Sequence, residues 1–553
     1  MSSFTDRLLA TGQQSKAAFI SSSGARVFTS KTWIDVHAEA RGAAAVLRER
    51  GIGPGQVVAV LAGSPAEVAP IVQAIWLRGA AVTMLHQPTP RTDLVEWMAG
   101  TVRTIAMIQA GLVVVGAPFE AASAHLSAAG VSHVATAELV AGGGDPEAGD
   151  SCIRHGAEHD LALLQLTSGS TGIPKAIPIT HESLYQNLRN TEPLLDTGRA
   201  DTVMVSWLPL FHDMGMVGFL SSSMTLGYSL VKATPSDFMS APRVWAEMLS
   251  DHAGTHTAAP NFAYDILART LQRAEDGAYD LSSVRCMLNG AEPVSPATMH
   301  RVGAEGRRFG LPAGAGSPCY GMAEATLVVS CSAPGRGTVV DRIDPDALEN
   351  SRRAVPDATP GNRALPTLGR IIDGIEAKIV GAQGKTLGVR EVGDLHLRGV
   401  SITKNYITVD GIQPALDNAG WLDTGDRAYF TEDGQLVVCG RSKDLIIIGG
   451  RNIFPTDIER SLSTLPTARA GGIAAVPIQK DNGAEGFAVL LESADHSDSA
   501  ARTALENAAR ERVIATIDAR PLLVMVLPPG ALPKTSSGKI RRLEAAKLVP
   551  ELL

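Results

Sequence analysis

The chain predicts an α/β fold divided into more than one domain, and three observations carry that prediction. Up to about residue 330, helical patterns alternate with short apolar strands, the order that builds parallel sheets. From 367 to 440, short strands and turns take over. Beyond 440, strand and helix patterns mix again over a length that suits a small α/β domain. A chain of 553 residues is also too long for a single core.

Each element follows from local pattern. "WIDVHAEARGAAAVLRERGIGPGQVVAVLAG" reads as a helix, a Gly-Pro turn and a strand from Val57 to Leu61. "PAEVAPIVQAIWLRGAAVTML" repeats that order through Gly79. "AGGGDPEAGD", 141 to 150, is expected to be a flexible surface loop. Residues 331–366 are rich in Gly, Pro, Arg and Asp, with little apolar content beyond "TVVDRI". "AYFTEDGQLVVCG" is a hairpin signal with Asp433-Gly434 at its turn. In the last segment, "GGIAAVPI" and "FAVLLE" read as strands and "SAARTALENAARERVIATI" as a helix.

Composition narrows the class of function. Apolar residues make up 45% and charged residues 19%, as in a globular protein. A net charge of -8 gives no footprint for nucleic acid, although Lys539-Ile-Arg-Arg542 is locally basic. The five cysteines are scattered without a close pair, which argues against a zinc site or a disulfide framework. No apolar run approaches the roughly 18 residues of a membrane span, and the N-terminus lacks a signal-peptide pattern. A cytoplasmic protein is expected, with no nucleic-acid partner and no integral membrane association.

The most informative stretch is "LLQLTSGSTGIPKAIPITH", 163 to 181. Small residues let backbone N–H groups approach an anion, the hydroxyls of Thr167, Ser168, Ser170 and Thr171 add donors, and Lys175 adds a charge. The spacing is not that of a Walker loop, and "AIPIT" reads as a strand where such a loop needs a helix. Taken alone, the loop fits a polar hairpin turn as well as it fits a phosphate cradle.

Four more motifs follow in order: "YGMAE" (320–324), "WLDTGDRAYF" (421–430), "GRSKDLIIIGGRNIFPTDIE" (440–459) and "LPKTSSGKIRR" (532–542). Together with the loop they resemble the adenylate-forming, acyl-activating superfamily over nearly the whole chain. That resemblance implies a large, multi-subdomain N-terminal adenylation domain with mixed sheets (1–440), a hinge (441–444) and a small, mobile α/β C-terminal domain (445–553).

The resemblance also implies roles. The loop with Thr167, Ser168, Gly169, Ser170, Thr171, Gly172 and Lys175 would hold the β- and γ-phosphates of ATP, with Mg²⁺ at Glu324. Tyr320, followed by Gly321 and Met322, would stack on adenine, and Gly290, Ala291 and Glu292 would offer backbone groups to its edge. Asp426 would accept the ribose hydroxyls, with Arg441 beside ribose and phosphate. Lys539 would bridge the substrate carboxylate and the α-phosphate, and Lys443 would sit at the hinge.

"SWLPLFHDMGMVGFL" (206–220), "NGAEPV" and "YGMAEAT" look like the fatty acyl-AMP ligase branch. There, His212 and Asp213 would line the acyl-adenylate site, though a structural His–Asp pair fits the same residues. The small-residue segment after them would wall an acyl tunnel or simply pack in the core. Ala323 stands where most of the superfamily has a phosphate-contacting threonine, and Thr326 is a candidate to compensate. In that branch the 331–366 interval corresponds to an insertion thought to obstruct rotation toward CoA. "TAAPNFAY" and "GRNIFPT" look most like mycobacterial members, including a mycobactin-type siderophore acyl ligase.

The expected reaction is activation of a medium- to long-chain fatty acid to acyl-AMP. Transfer to a phosphopantetheinylated acyl carrier protein, or to the carrier domain of a polyketide or peptide synthase, would follow. A fatty acyl-CoA ligase is the main alternative. A catalytically silent homologue is opposed by the joint presence of Lys175, Glu324, Asp426, Arg441 and Lys539.

Overall fold

The computed structural model describes residues 2–22, 26–89, 92–141, 152–167, 175–359, 362–448, 451–463, 465–469, 471–479, 485–534 and 539–549. The expected surface loop at 141–150 lies almost wholly outside them, as do 168–174 and 535–538. Among the described residues, two large sheets face one another across helices. One has eight strands in the order 411–414, 405–408, 175–180, 161–167, 81–84, 57–61, 112–115 and 133–135. The other has nine, in the order 370–371, 328–331, 316–321, 286–289, 256–259, 203–206, 229–232, 18–22 and 28–32.

The strand Val57–Leu61 forms where the sequence predicts it. Its five residues, VVAVL, are all buried, as a central parallel strand covered on both faces requires. Helices Trp33–Glu49, Pro65–Leu77 and His181–Leu195 lie between the sheets, and their apolar faces join residues of both sheets in the largest core cluster. Thr32 starts the first of these with a capping box, its hydroxyl accepting from Asp35 N while the Asp35 carboxylate accepts from Thr32 N.

The turn-rich stretch 367–440 is not self-contained: its hairpin Asn405–Thr408/Gly411–Pro414 pairs with Lys175–Thr180 and extends the eight-stranded sheet. The rest forms a four-stranded antiparallel sheet that includes the predicted hairpin. Leu422–Phe430 pairs with Leu436–Arg441, and Gly434 at φ +75° makes the turn.

The C-terminal part is a three-stranded sheet, Ile473–Gln479, Glu485–Glu492 and Leu523–Leu527, with helix Ser499–Ile517 beside it. Two apolar clusters draw only on residues from 446 onward, so this part has a core of its own. The interval 331–366 folds into strand Val340–Ile343, helix Pro345–Ser351 and strand Arg363–Pro366, with the two strands paired.

That interval touches the C-terminal part through charged groups. Arg451 Nε donates to Glu349 Oε2 at 2.8 Å, and Arg363 Nη2 lies 2.9 Å from Asp457 Oδ2. Arg460 Nη1 donates to the Ala364 carbonyl at 3.1 Å. The Arg363 guanidinium also stacks 4.5 Å from the Phe454 ring centroid. All five cysteines are free thiols. Among the described residues no helix is long and apolar enough to cross a membrane.

Candidate active site

A single cleft of about 3210 Å³ runs along the ends of both sheets and under the C-terminal part. Of the residues singled out in the sequence, it is lined by Thr167, Lys175, His212, Asp213, Ala291, Glu292, Tyr320, Gly321, Met322, Glu324, Asp426, Arg441, Lys443 and Lys539. Gly290 lies behind the wall, where a Cβ would meet Cys319 Sγ at 2.6 Å. Ser168, Gly169, Ser170, Thr171 and Gly172 lie outside the described residues.

The loop's flanks are strands, as the sequence predicts. Leu161–Thr167 and Lys175–Thr180 pair antiparallel with Thr167 opposite Lys175. This register brings the Thr167 hydroxyl and the Lys175 ammonium to the same end of the hairpin. Thr167 Oγ1 is buried there and has no protein partner among the described residues. Lys175 Nζ lies 3.6 Å from Glu324 Oε1 and 3.8 Å from the Tyr406 ring centroid. Burial first, then the Glu324 carboxylate, pushes the Tyr406 phenol upward.

Tyr320 lies next to last in strand Gly316–Gly321, and its hydroxyl donates to Asp426 Oδ2 at 2.6 Å. Arg441 stands directly across the strand pair from Asp426 and donates from Nε to Oδ1 at 3.1 Å. The Asp426 carboxylate raises the Arg441 guanidinium further above its ordinary value. Lys443 follows on the short turn Ser442–Asp444; burial, and then Arg441, lowers its ammonium. One phenol, one carboxylate and two cations therefore crowd a single wall.

The third group lies across the cleft. His212 Nδ1 is 2.6 Å from Asp213 Oδ1, and Met214 N–H donates to the same oxygen at 2.7 Å. Burial pushes the Asp213 carboxyl up, but His212, Lys539 and the Met214 N–H outweigh it and hold it below the ordinary value. Lys539 also faces Glu292, whose carboxyl burial drives up to about 7 against the pull of Phe262 N–H and Lys539. Lys539, from the C-terminal part, lines the same cleft as the His212–Asp213 pair, and its charge acts on Asp213 and Glu292.

Thr326 does not stand in for the threonine that Ala323 replaces. Its φ is +70°, it is buried, and its hydroxyl donates to the Ser401 carbonyl at 2.9 Å, away from the cleft. Tyr406 and His86 are among the cleft residues that went unrecognised in the sequence. His86 packs edge-on against Phe211 at 5.5 Å and is pushed down to about 4 by burial. No local signal marks either one, because each reaches the site only through strand pairing or packing.

Comparison with known proteins fits this geometry. The family model described as AMP-binding enzyme matches residues 9–407. The chain belongs to the AMP-binding enzyme family. It is an ATP-dependent, adenylate-forming ligase, and the two-sheet core with its small C-terminal part is the family's mixed α/β adenylation fold. A Mycobacterium tuberculosis protein provisionally named a ligase, Rv1013, is 49% identical over 525 residues, 94% of each chain. The long-chain-fatty-acid–AMP ligase FadD32 of Mycolicibacterium smegmatis is 33% identical, over 70% of this chain and 68% of its own. A solved structure from the fatty acyl-adenylate ligases of E. coli and L. pneumophila matches with a TM-score of 0.88 at 29% identity, covering 99% of this chain and 98% of that one. These relatives give no support to the siderophore-type resemblance.

Proposed function

We propose that this adenylate-forming ligase activates a medium- to long-chain fatty acid to its acyl-AMP and passes the acyl group to a phosphopantetheinylated carrier protein. The observation that carries the choice of acceptor is the charged clasp between the 331–366 interval and the C-terminal part. Glu349–Arg451, Arg363–Asp457 and Ala364–Arg460 all oppose a swing about 441–444, and they keep the C-terminal part over the cleft that Lys539 lines. Similarity to FadD32 and to the fatty acyl-adenylate ligases supports the fatty acid and the adenylate product.

In this reading the chain's residues divide the work of bringing two anions together. Thr167 and Lys175, with the loop 168–172, grip the terminal phosphates. Tyr320, Asp426 and Arg441 hold the nucleoside: Asp426 accepts the ribose hydroxyls and Arg441 lies toward the phosphate. Lys539 lies where the carboxylate and α-phosphate meet, so a fixed cation offsets their repulsion as charge shifts. His212 and Asp213 fix the wall beside the forming adenylate. Mg²⁺ fits the donor set here, since it binds through one or two carboxylates plus phosphate oxygens; Glu324 would hold it, and the ion would offset phosphate charge. Domains 1–440 and 445–553, joined by the 441–444 hinge with Lys443, form the moving parts.

The test compares acceptors. Acyl-AMP formed in place should pass to holo-carrier protein and yield little acyl-CoA with free CoA. Glu349→Ala, which opens the clasp at its edge, should raise acyl-CoA formation while the thermal midpoint stays within a few degrees. Ready acyl-CoA formation by the unaltered enzyme would support the CoA-ligase alternative instead.

A further inference from the structure

The cleft has an apolar arm with a floor, two walls and an end. His256 and Ala258 alternate along one floor strand, so both face the arm, and Leu288 lies on the next strand. Helix His181–Leu195 forms one wall, presenting Leu188, Thr191, Glu192 and Leu195 at helical spacing. The helical run 213–226 forms the other, with Gly218, Phe219, Ser222 and Leu226 at the same spacing.

The floor strands run parallel, which gives the arm a direction. The segment after Val203–Ser206 leads to His212 and Asp213 at their C-terminal ends. Thr197 and Tyr228 precede the strands Val203–Ser206 and Ser229–Lys232 and sit at the opposite end. Four strand residues at about 3.3 Å each span about 13 Å. An extended chain advances about 1.2 Å per bond, so roughly ten to twelve carbons cover that distance.

The far end is not apolar. The Tyr228 hydroxyl donates to Glu192 Oε1 at 2.9 Å and lies 3.0 Å from Thr197 Oγ1. Tyr228 and Thr197 are 7% and 3% exposed. Glu192 lines the cleft, and its Oε2 accepts from no protein group among the described residues. Tyr228 and Thr197 are satisfied by each other and by Glu192, which leaves Glu192 Oε2 as the open acceptor; a plain alkyl terminus would strip water from it and return no donor, at a cost of about 1–3 kcal/mol.

We infer that the acid carries a hydrogen-bond donor at or near its distal end, a hydroxyl or an amine, which Glu192 accepts beside Tyr228 and Thr197. The inference rests on reading the arm as the acyl site. A second carboxylate at that end would face Glu192 and is disfavoured by like charge.

The experiment measures pyrophosphate release with four medium-chain acids of one length: the alkanoate and its ω-hydroxy, ω-amino and α,ω-dicarboxylate counterparts. The ω-hydroxy or ω-amino acid should exceed the alkanoate by at least about tenfold in kcat/KM, with the dicarboxylate lowest. Tyr228→Phe and Glu192→Leu should shrink that ratio. Glu192→Gln separates the two donors, since it keeps an acceptor for a hydroxyl but loses the charge that favours an ammonium. Should the variants fail to fold, the four acids on the unaltered enzyme still decide. Equal or better use of the alkanoate overturns the inference and leaves the fatty-acid reading standing. Release with none of the four overturns both.

Discussion

Lys175, Glu324, Asp426, Arg441 and Asp213 are each held by a charged or polar partner within 4 Å, and they come from elements hundreds of residues apart. The apolar arm is built differently, from Leu188, Phe219 and Leu288 on regular elements, with Glu192, Thr197 and Tyr228 linked at its far end. The charged end depends on cations whose positions are fixed by neighbours, so single substitutions there should act on the chemistry. The apolar arm depends on shape, so substitutions there should act on which acid is used. A variant that crosses this division would break the account.

The largest effect is expected at Lys539. Lys539→Ala removes a cation of the cleft whose charge acts on Asp213 and should lower pyrophosphate release by about 10²–10³-fold. Transfer from supplied acyl-AMP should fall far less, and single-turnover assays of the two half-reactions check this. A smaller effect reads the packing at the far end of the arm. His256 at the far end of the arm is held at about 4 by burial, against an ordinary value of 6.5. The unfolded chain takes up that proton first, so stability present above pH 6.5 is lost as pH falls toward 4. The shift of roughly 2.5 units corresponds to about 3 kcal/mol. Denaturant midpoints between pH 7 and 4 measure it, and replacing His256 by Gln should flatten the slope.

Next comes the nucleotide wall. Asp426→Asn keeps the shape but weakens the bonds from Tyr320 and Arg441. Losing a charged acceptor of this kind is worth about 1.5–3 kcal/mol, so KM for ATP should rise roughly 10–100-fold. The choice of acid should not change. The smallest effect is expected in the arm. At Gly218 a Cβ already meets Leu327 Cδ2 at 3.0 Å, so Gly218→Leu should narrow the channel. It should cost longer acids about tenfold in kcat/KM while KM for ATP holds.

The sequence made the charged end legible for a specific reason. Its groups sit in short contiguous motifs around Lys175, Tyr320, Asp426, Arg441 and Lys539, where spacing survives without a fold. Strands such as Val57–Leu61 were equally readable, because burial on both faces leaves an unbroken apolar run. What escaped are contacts between distant segments. Tyr406 reaches Lys175 only because its hairpin joins the eight-stranded sheet, and Glu349 meets Arg451 across 102 residues. Thr326 illustrates the opposite error, where proximity in sequence suggested a role that a left-handed backbone turns away from the cleft. Glu192, Thr197 and Tyr228 carry no motif and gain meaning only from the channel they close.

The central claim is that the charged end makes an adenylate of a fatty acid. The most direct measurement is ATP-dependent pyrophosphate release, with the acyl-AMP identified by mass, for medium- to long-chain fatty acids against a panel of amino acids. The account predicts release and a detectable acyl-AMP with fatty acids and none above background with amino acids. Release with amino acids, or no adenylate with any fatty acid, would contradict it.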